Sequence, residues 1–202
     1  MMYGNGPPGT WDGSCMRNLM ATLTANNTFL QRLIGAMALD VAIYEEVEGD
    51  RGATTQAFTV VILSSIATGI GARGFADNTV SNIAFIAIIS LLAWAAWALV
   101  TVEIGGRLMP EPQTRVDVGE LLRTIGFAST PGMLRALGAL PRATMPVFVI
   151  TSIWMLLAMI VAVRQALDYR STPRAVAVCV LGWVLALTFA VGLGLLFGPS
   201  VS

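Results

Sequence analysis

Hydrophobic residues follow two regimes along this 202-residue chain. Between Phe29 and Glu48, the apolar positions Leu30, Leu33, Ile34, Met37, Val41 and Tyr44 recur at steps of three and four. That spacing predicts one amphipathic helix over about 29–49, with Asp40, Glu45, Glu46 and Glu48 on its polar side. Beyond Arg51 the periodicity gives way to continuous apolar runs. A run of about 20 residues crosses ~30 Å of hydrocarbon as a helix. Such runs predict spans over about 53–72, 80–102, 121–140, 143–163 and 175–197. The expected fold is therefore all-α: an integral membrane bundle of five transmembrane helices (residues 50–202) preceded by a cytoplasmic amphipathic helix. Residues 1–28 begin with Gly4, Gly6, Pro7, Pro8, Gly9 and Gly13, a tail that has no core to bury.

The third run is the weakest, because it contains Arg123 and Arg135 and is interrupted by Pro131. Its start is well marked, since Asp117 followed by Glu120 has the spacing of a capping box. The arginines favour counting it as a span. With five spans and an inside N-terminus, Arg73, Arg135 and Arg142 lie outside and the other nine of the 12 arginines lie inside. At the entry to the first span, Gly49 is placed to end the amphipathic helix and Asp50 to cap the next one. Trp94 and Trp97 are candidate interface anchors of the second span.

Composition agrees with the pattern. The chain is 55% hydrophobic and 12% charged, against roughly 45–50% and 25% in soluble domains. The 12 basic residues are all arginine and balance 12 acids, so no basic surface for nucleic acid is expected. The two cysteines, Cys15 and Cys179, imply no disulfide framework. Without histidine or a CxxC pair, zinc, haem and iron–sulfur sites are not expected. The acids of 44–50 point in several directions at helical spacing and read as a solvated face plus a cap, not as a cation site. No acid lies within the apolar cores to relay protons, and Ser64, Ser65, Thr68, Ser90, Thr151, Ser152 and Thr188 have no base to activate them. Neither an enzyme nor a cofactor is expected. Gly69, Gly71 and Gly74 match G-x-G-x-x-G, but at the end of a span and not after a strand, so they read as packing and termination residues.

Three sets of residues stand out. In the fifth span Gly182, Ala186, Ala190 and Gly194 recur every four residues, and Ser65 with Gly69 makes a similar pair in the first; both are helix-packing candidates. The acidic helix is a candidate docking element through Asp40, Tyr44, Glu45, Glu46 and Glu48, because its polar face would be repelled by anionic lipid. Arg135 is a candidate lipid or anion contact. The plainer reading has it snorkel toward the end of its span near Leu140, and Ser129 or Thr130 is placed to satisfy the backbone group freed by Pro131.

Several ordered blocks carry a family likeness. They include Arg32-Leu33-Ile34-Gly35-Ala36, Tyr44-Glu45-Glu46-Val47-Glu48, Ala53-Thr54-Thr55-Gln56-Ala57, Gly119-Glu120-Leu121-Leu122-Arg123, Gly126-Phe127-Ala128, Pro131-Gly132, Ser152-Ile153-Trp154 and Gly182-Trp183. With these the chain resembles bacterial members of the Yip (Ypt/Rab-interacting) family of five-span membrane proteins over about residues 30–190. The resemblance implies a helical bundle with a cytoplasmic N-terminal region and a membrane-crossing third segment. The Asp-Leu-Tyr-Gly-Pro type of motif found before the first span in eukaryotic relatives is missing, so a Rab GTPase partner is not expected. The functional expectation is a non-enzymatic scaffold, assembly factor or accessory subunit in the bacterial inner membrane. Its partners would be the lipid bilayer and other subunits or further copies. The alternative is a small-solute channel or transporter with Arg135 and the span hydroxyls lining the path.

Overall fold

A computed structural model describes residues 27–74, 80–108 and 117–197, and every regular element among them is helical. Nearly all of the expected tail, and the connections 75–79 and 109–116, lie outside the described residues. The helices are α1 (Phe29–Met37), α2 (Val41–Gly49), α3 (Ala53–Gly71), α4 (Val80–Glu103), α5 (Val118–Ala128), α6 (Thr144–Ala166) and α7 (Thr172–Phe197). A tighter 3-10 helix, Thr130–Ala139, follows α5.

Among the described residues four helical stretches are long and apolar enough to cross a membrane: Ala53–Gly71, Val80–Arg107, Thr144–Ala166 and Thr172–Phe189. The expected third span, 121–140, is not a continuous transmembrane helix. It is broken into the 11-residue α5 and the 10-residue 3-10 helix, with Pro131 just beyond the join. Proline has no N–H to return to Phe127, and the Thr130 hydroxyl donates to that carbonyl instead at 2.5 Å, while Ser129 donates to Ile125 at 3.2 Å. At rises of 1.5 and 2.0 Å per residue, the two pieces together reach about 36 Å.

This broken rod is the centre of the molecule. Every residue from Arg123 to Gly132 is buried, whereas the long apolar helices expose large side chains such as Ile88, Leu99, Val149 and Ile153. The rod runs parallel to α3 along that helix's length. Gly126 lies on Ala57, Gly132 on Ser64, and the carbonyl of Arg135 on Gly71. Any Cβ at Gly71 would fall on that carbonyl, so only glycine allows the two backbones to meet there. Low apolarity is tolerated in the buried stretch 123–132 because protein surrounds it.

The N-terminal arm also departs from expectation. The single helix expected over 29–49 is two nine-residue helices joined at Leu39, which takes φ 61°, and Asp40, whose carboxylate accepts from the Ala42 amide and caps α2. The inward residues are Arg32, Ala36, Ile43, Tyr44 and Val47, while Leu30 and Ile34 of the expected buried face are 64% and 59% exposed. Two contacts locate the hairpin. Gln165, at the end of α6, donates to Glu45, and Trp154 donates to the Met37 carbonyl at 2.8 Å. Those two residues of α6 lie 11 positions apart, about 16 Å of helix rise. The hairpin therefore runs along the flank of α6 from its end to its middle, and Leu30 and Ile34 point away from the bundle.

Candidate functional site

Three arginines reach the interior of the bundle. Arg32, 2% exposed, donates from Nε to Glu46 at 3.0 Å, from one terminal nitrogen to Gln56 at 2.9 Å, and from the other to Asp50 at 2.7 Å. One guanidinium thus ties α1 to the end of α2 and the start of α3. Desolvation works against the charge on Glu46, but hydrogen bonds from Asn27 and Arg32 outweigh it and hold that carboxyl below its usual range. Asp50 is held low by the bond from Arg32 and by the Gly52 amide, which donates to its second oxygen at 2.8 Å. Arg123 donates from Nε to the carbonyls of Val47 and Glu48 at 3.0 and 3.1 Å, satisfying the open end of α2.

Arg135 differs from both. Its backbone lies level with Gly71, at the end of α3, but its guanidinium turns into the bundle. There Nη2 donates to Ser152 at 2.8 Å, Nη1 and Nε reach the hydroxyls of Thr68 and Thr151 at 3.4 Å, and the group sits 5.4 Å over the Phe148 ring. The guanidinium therefore does not snorkel toward Leu140: its acceptors Thr68, Thr151 and Ser152 lie about one to two turns inside the ends of α3 and α6 at Gly71 and Thr144. Arg32 is ion-paired with Glu46 and Asp50, whereas among the described residues no carboxylate pairs with Arg135.

Arg135 borders two adjoining cavities. The larger, about 230 Å³, lies between α4, α6 and α7 and is walled chiefly by Trp94, Trp97, Met155, Met159 and Trp183. The smaller, about 40 Å³, is lined by the hydroxyls of Ser64, Ser65, Thr68 and Ser129. Ser90, Trp94, Met155 and Arg135 border both. The Trp97 indole donates to the Cys179 carbonyl at 3.5 Å and the Trp154 indole to Met37, but the buried Nε1 of Trp94 has no hydrogen-bond partner among the described residues. Trp97 is thus an interior residue and not the interface anchor expected of it, and Trp94 is half-buried with its indole nitrogen turned inside.

The family profile described as Yip1 domain matches residues 40–193. The chain belongs to the Yip1 domain family. No curated protein and no solved structure matches it significantly. The matched stretch of this Yip1 domain protein takes in both cavities and α2, but not α1 or Arg32.

The remaining candidates of this Yip1 domain fall in separate places. Ser65 and Gly69 are buried in α3, and a Cβ at Gly69 would come within 2.5 Å of the Ile83 carbonyl on α4. Gly182 lies under the Trp97 indole. The surroundings of Ala186, Ala190 and Gly194 lie outside the described residues. Of the docking candidates, Tyr44 is buried and donates to Ala36 at 3.1 Å, and Glu46 is bound by Arg32. Asp40 and Glu45 are exposed, as cap and as acceptor from Gln165. Glu48 is half-buried, and burial, with the charges of Glu120, Asp168 and Glu45, pushes its carboxyl up to about 7. Among the described residues no cluster of acids and cysteines could hold a metal ion. The sequence reading joined Arg135 to the span hydroxyls, Ser152 among them, only as the lining of a solute path, and did not connect Trp94 with it; the signal available was a lone intramembrane charge with hydroxyls on other spans at a similar depth.

Proposed function

We propose that this multi-pass membrane protein is non-enzymatic and acts as a scaffold or accessory subunit of a larger membrane assembly. The observation behind this reading is the far half of α7. From Val184 to Leu196, every residue whose surroundings are described is exposed except the half-buried Gly192, where nothing lies within 4 Å of a built Cβ. This outward apolar stretch, whose sequence carries Ala186, Ala190 and Gly194 at four-residue steps, suits close packing on a helix of another chain. In this reading the protein lies in a bacterial inner membrane with its arginine-rich side, and so its N-terminal region, in the cytoplasm. A Rab GTPase partner is not part of it.

Size and mass analysis in mild detergent tests the proposal. Ala186→Leu with Ala190→Leu should shift the protein from an assembly to a monomer, while Gly192→Leu, on another side of the helix, should not. A wild-type protein that is strictly monomeric and free of partners overturns it. A second reading, passage of a small solute, draws on the cavity beside Arg135. Solute flux in proteoliposomes that is unchanged by Arg135→Ala would remove that reading.

A further inference from the structure

We infer that the paired cavities beside Arg135 form a binding site for a membrane amphiphile with an oxyanion head. The head rests on the Arg135 guanidinium and the Trp94 indole N–H, and the chain leaves past α7. Three observations converge on this ligand. The guanidinium has no carboxylate partner among the described residues and is met only by neutral groups, three hydroxyls and the Phe148 ring. Two of these hydroxyls already use their protons elsewhere, Thr68 donating to Ser64 at 2.9 Å and Thr151 to Val147 at 2.7 Å, so they offer lone pairs but no counter-charge. A cation within an apolar bundle calls for an anion, and a planar guanidinium is suited to the paired oxygens of a carboxylate or phosphate.

The second observation is the Trp94 N–H, a buried donor with no acceptor among the described residues, in the wall shared by both cavities. An oxyanion at the junction would supply the missing acceptor. The third is the shape. The 40 Å³ pocket has room for a water or the oxygens of a small anion but for little more. The 230 Å³ cavity is aromatic and aliphatic, and its rim residue Leu187 is 50% exposed on the outer surface of α7. It falls short of the roughly 300–1,000 Å³ that encloses a whole drug-sized ligand. Such a space fits a head and the first part of one chain, with the rest of the chain lying in the bilayer.

Tryptophan fluorescence reads this site, because three of the protein's five tryptophans wall the larger cavity. The full-length protein in phosphatidylcholine vesicles is titrated with dibromostearic acid and, separately, with dibromostearyl alcohol, at alkaline pH where the acid is ionised. The acid should quench at about tenfold lower concentration, the worth of one charge-assisted hydrogen bond. Arg135→Gln should abolish that preference, and Arg135→Lys should retain part of it. Trp94→Phe, which keeps the ring and removes the donor, should narrow it, and this variant decides the matter if Arg135→Gln does not fold. Excess inorganic phosphate should not relieve the quenching. Relief would mean that the pocket takes a free oxyanion, which overturns the amphiphile. Equal quenching by acid and alcohol in the wild-type protein overturns the anion site altogether.

Discussion

Arg32 and Arg135 are both interior arginines of one small bundle, and their surroundings are opposite. Arg32 meets two carboxylates and a carboxamide, one for each nitrogen of its fork, and its charge is neutralised twice over. Arg135 meets three hydroxyls and a ring and keeps its charge. The difference separates two uses of the same side chain. A guanidinium with every direction occupied fixes chain segments to one another, and one with neutral neighbours and an adjoining cavity is open to a ligand.

The largest effect should come from breaking the closed site. Arg32→Ala leaves Glu46 and Asp50 facing each other without a cation, and the solubilised protein should lose about 3 kcal/mol in thermal unfolding. Arg32→Lys should recover only part of this, because one ammonium cannot reach three acceptors in a plane.

A smaller effect concerns pH at the same end of the arm. The carboxyl of Glu48 is raised from its ordinary 4.5 to about 7, so the fold favours its neutral form. Stability should fall as pH rises through that window, by about 1 kcal/mol once the half-exposure of the group is allowed for. Glu46 and Asp50 are shifted downward and contribute with the opposite sign. Their stabilisation is present above the ordinary carboxylate range and is lost as pH falls below it. Melting temperature against pH should therefore pass through a maximum on the mildly acidic side, and Glu48→Gln should flatten its alkaline limb.

The smallest effect should have the reverse sign. Arg135→Gln removes an unneutralised charge, and in ligand-free detergent the protein should be unchanged or more stable by up to about 1 kcal/mol. A loss as large as that of Arg32→Ala would erase the contrast between the two sites.

The four long spans were legible because length and apolarity are local properties: the runs read at 53–72, 80–102, 143–163 and 175–197 lie close to α3, α4, α6 and α7. The third segment was located but its form was not, since a run with Pro131 and two arginines can be a span or a core element, and only its neighbours decide. The break at Leu39 was hidden because neither glycine nor proline marks it; Asp40 ahead of Val41 was the available cap signal. Arg32 was unreadable as a clamp, because its partners Glu46 and Asp50 lie 14 and 18 residues away, about 21 and 27 Å of rise along the single helix expected there, and only the turn at Leu39 brings them within reach. Arg135 was singled out as a lone charge in a span, but the direction of its head depends on Gly71, Thr68 and Ser152, which only the tertiary fold brings together.

The broken rod also bears on how the protein is made. A segment of α-helix and 3-10 helix carrying two arginines has little affinity of its own for lipid, and its polar groups are satisfied by α2, α3 and α6. Two of these emerge from the ribosome before it and the third after it. Residues 118–139 should therefore enter the bilayer late, drawn in once α6 is present to cover their open side. A nascent chain stopped ahead of Thr144 should leave them accessible to water-soluble thiol probes at introduced cysteines, and the full-length chain should protect them.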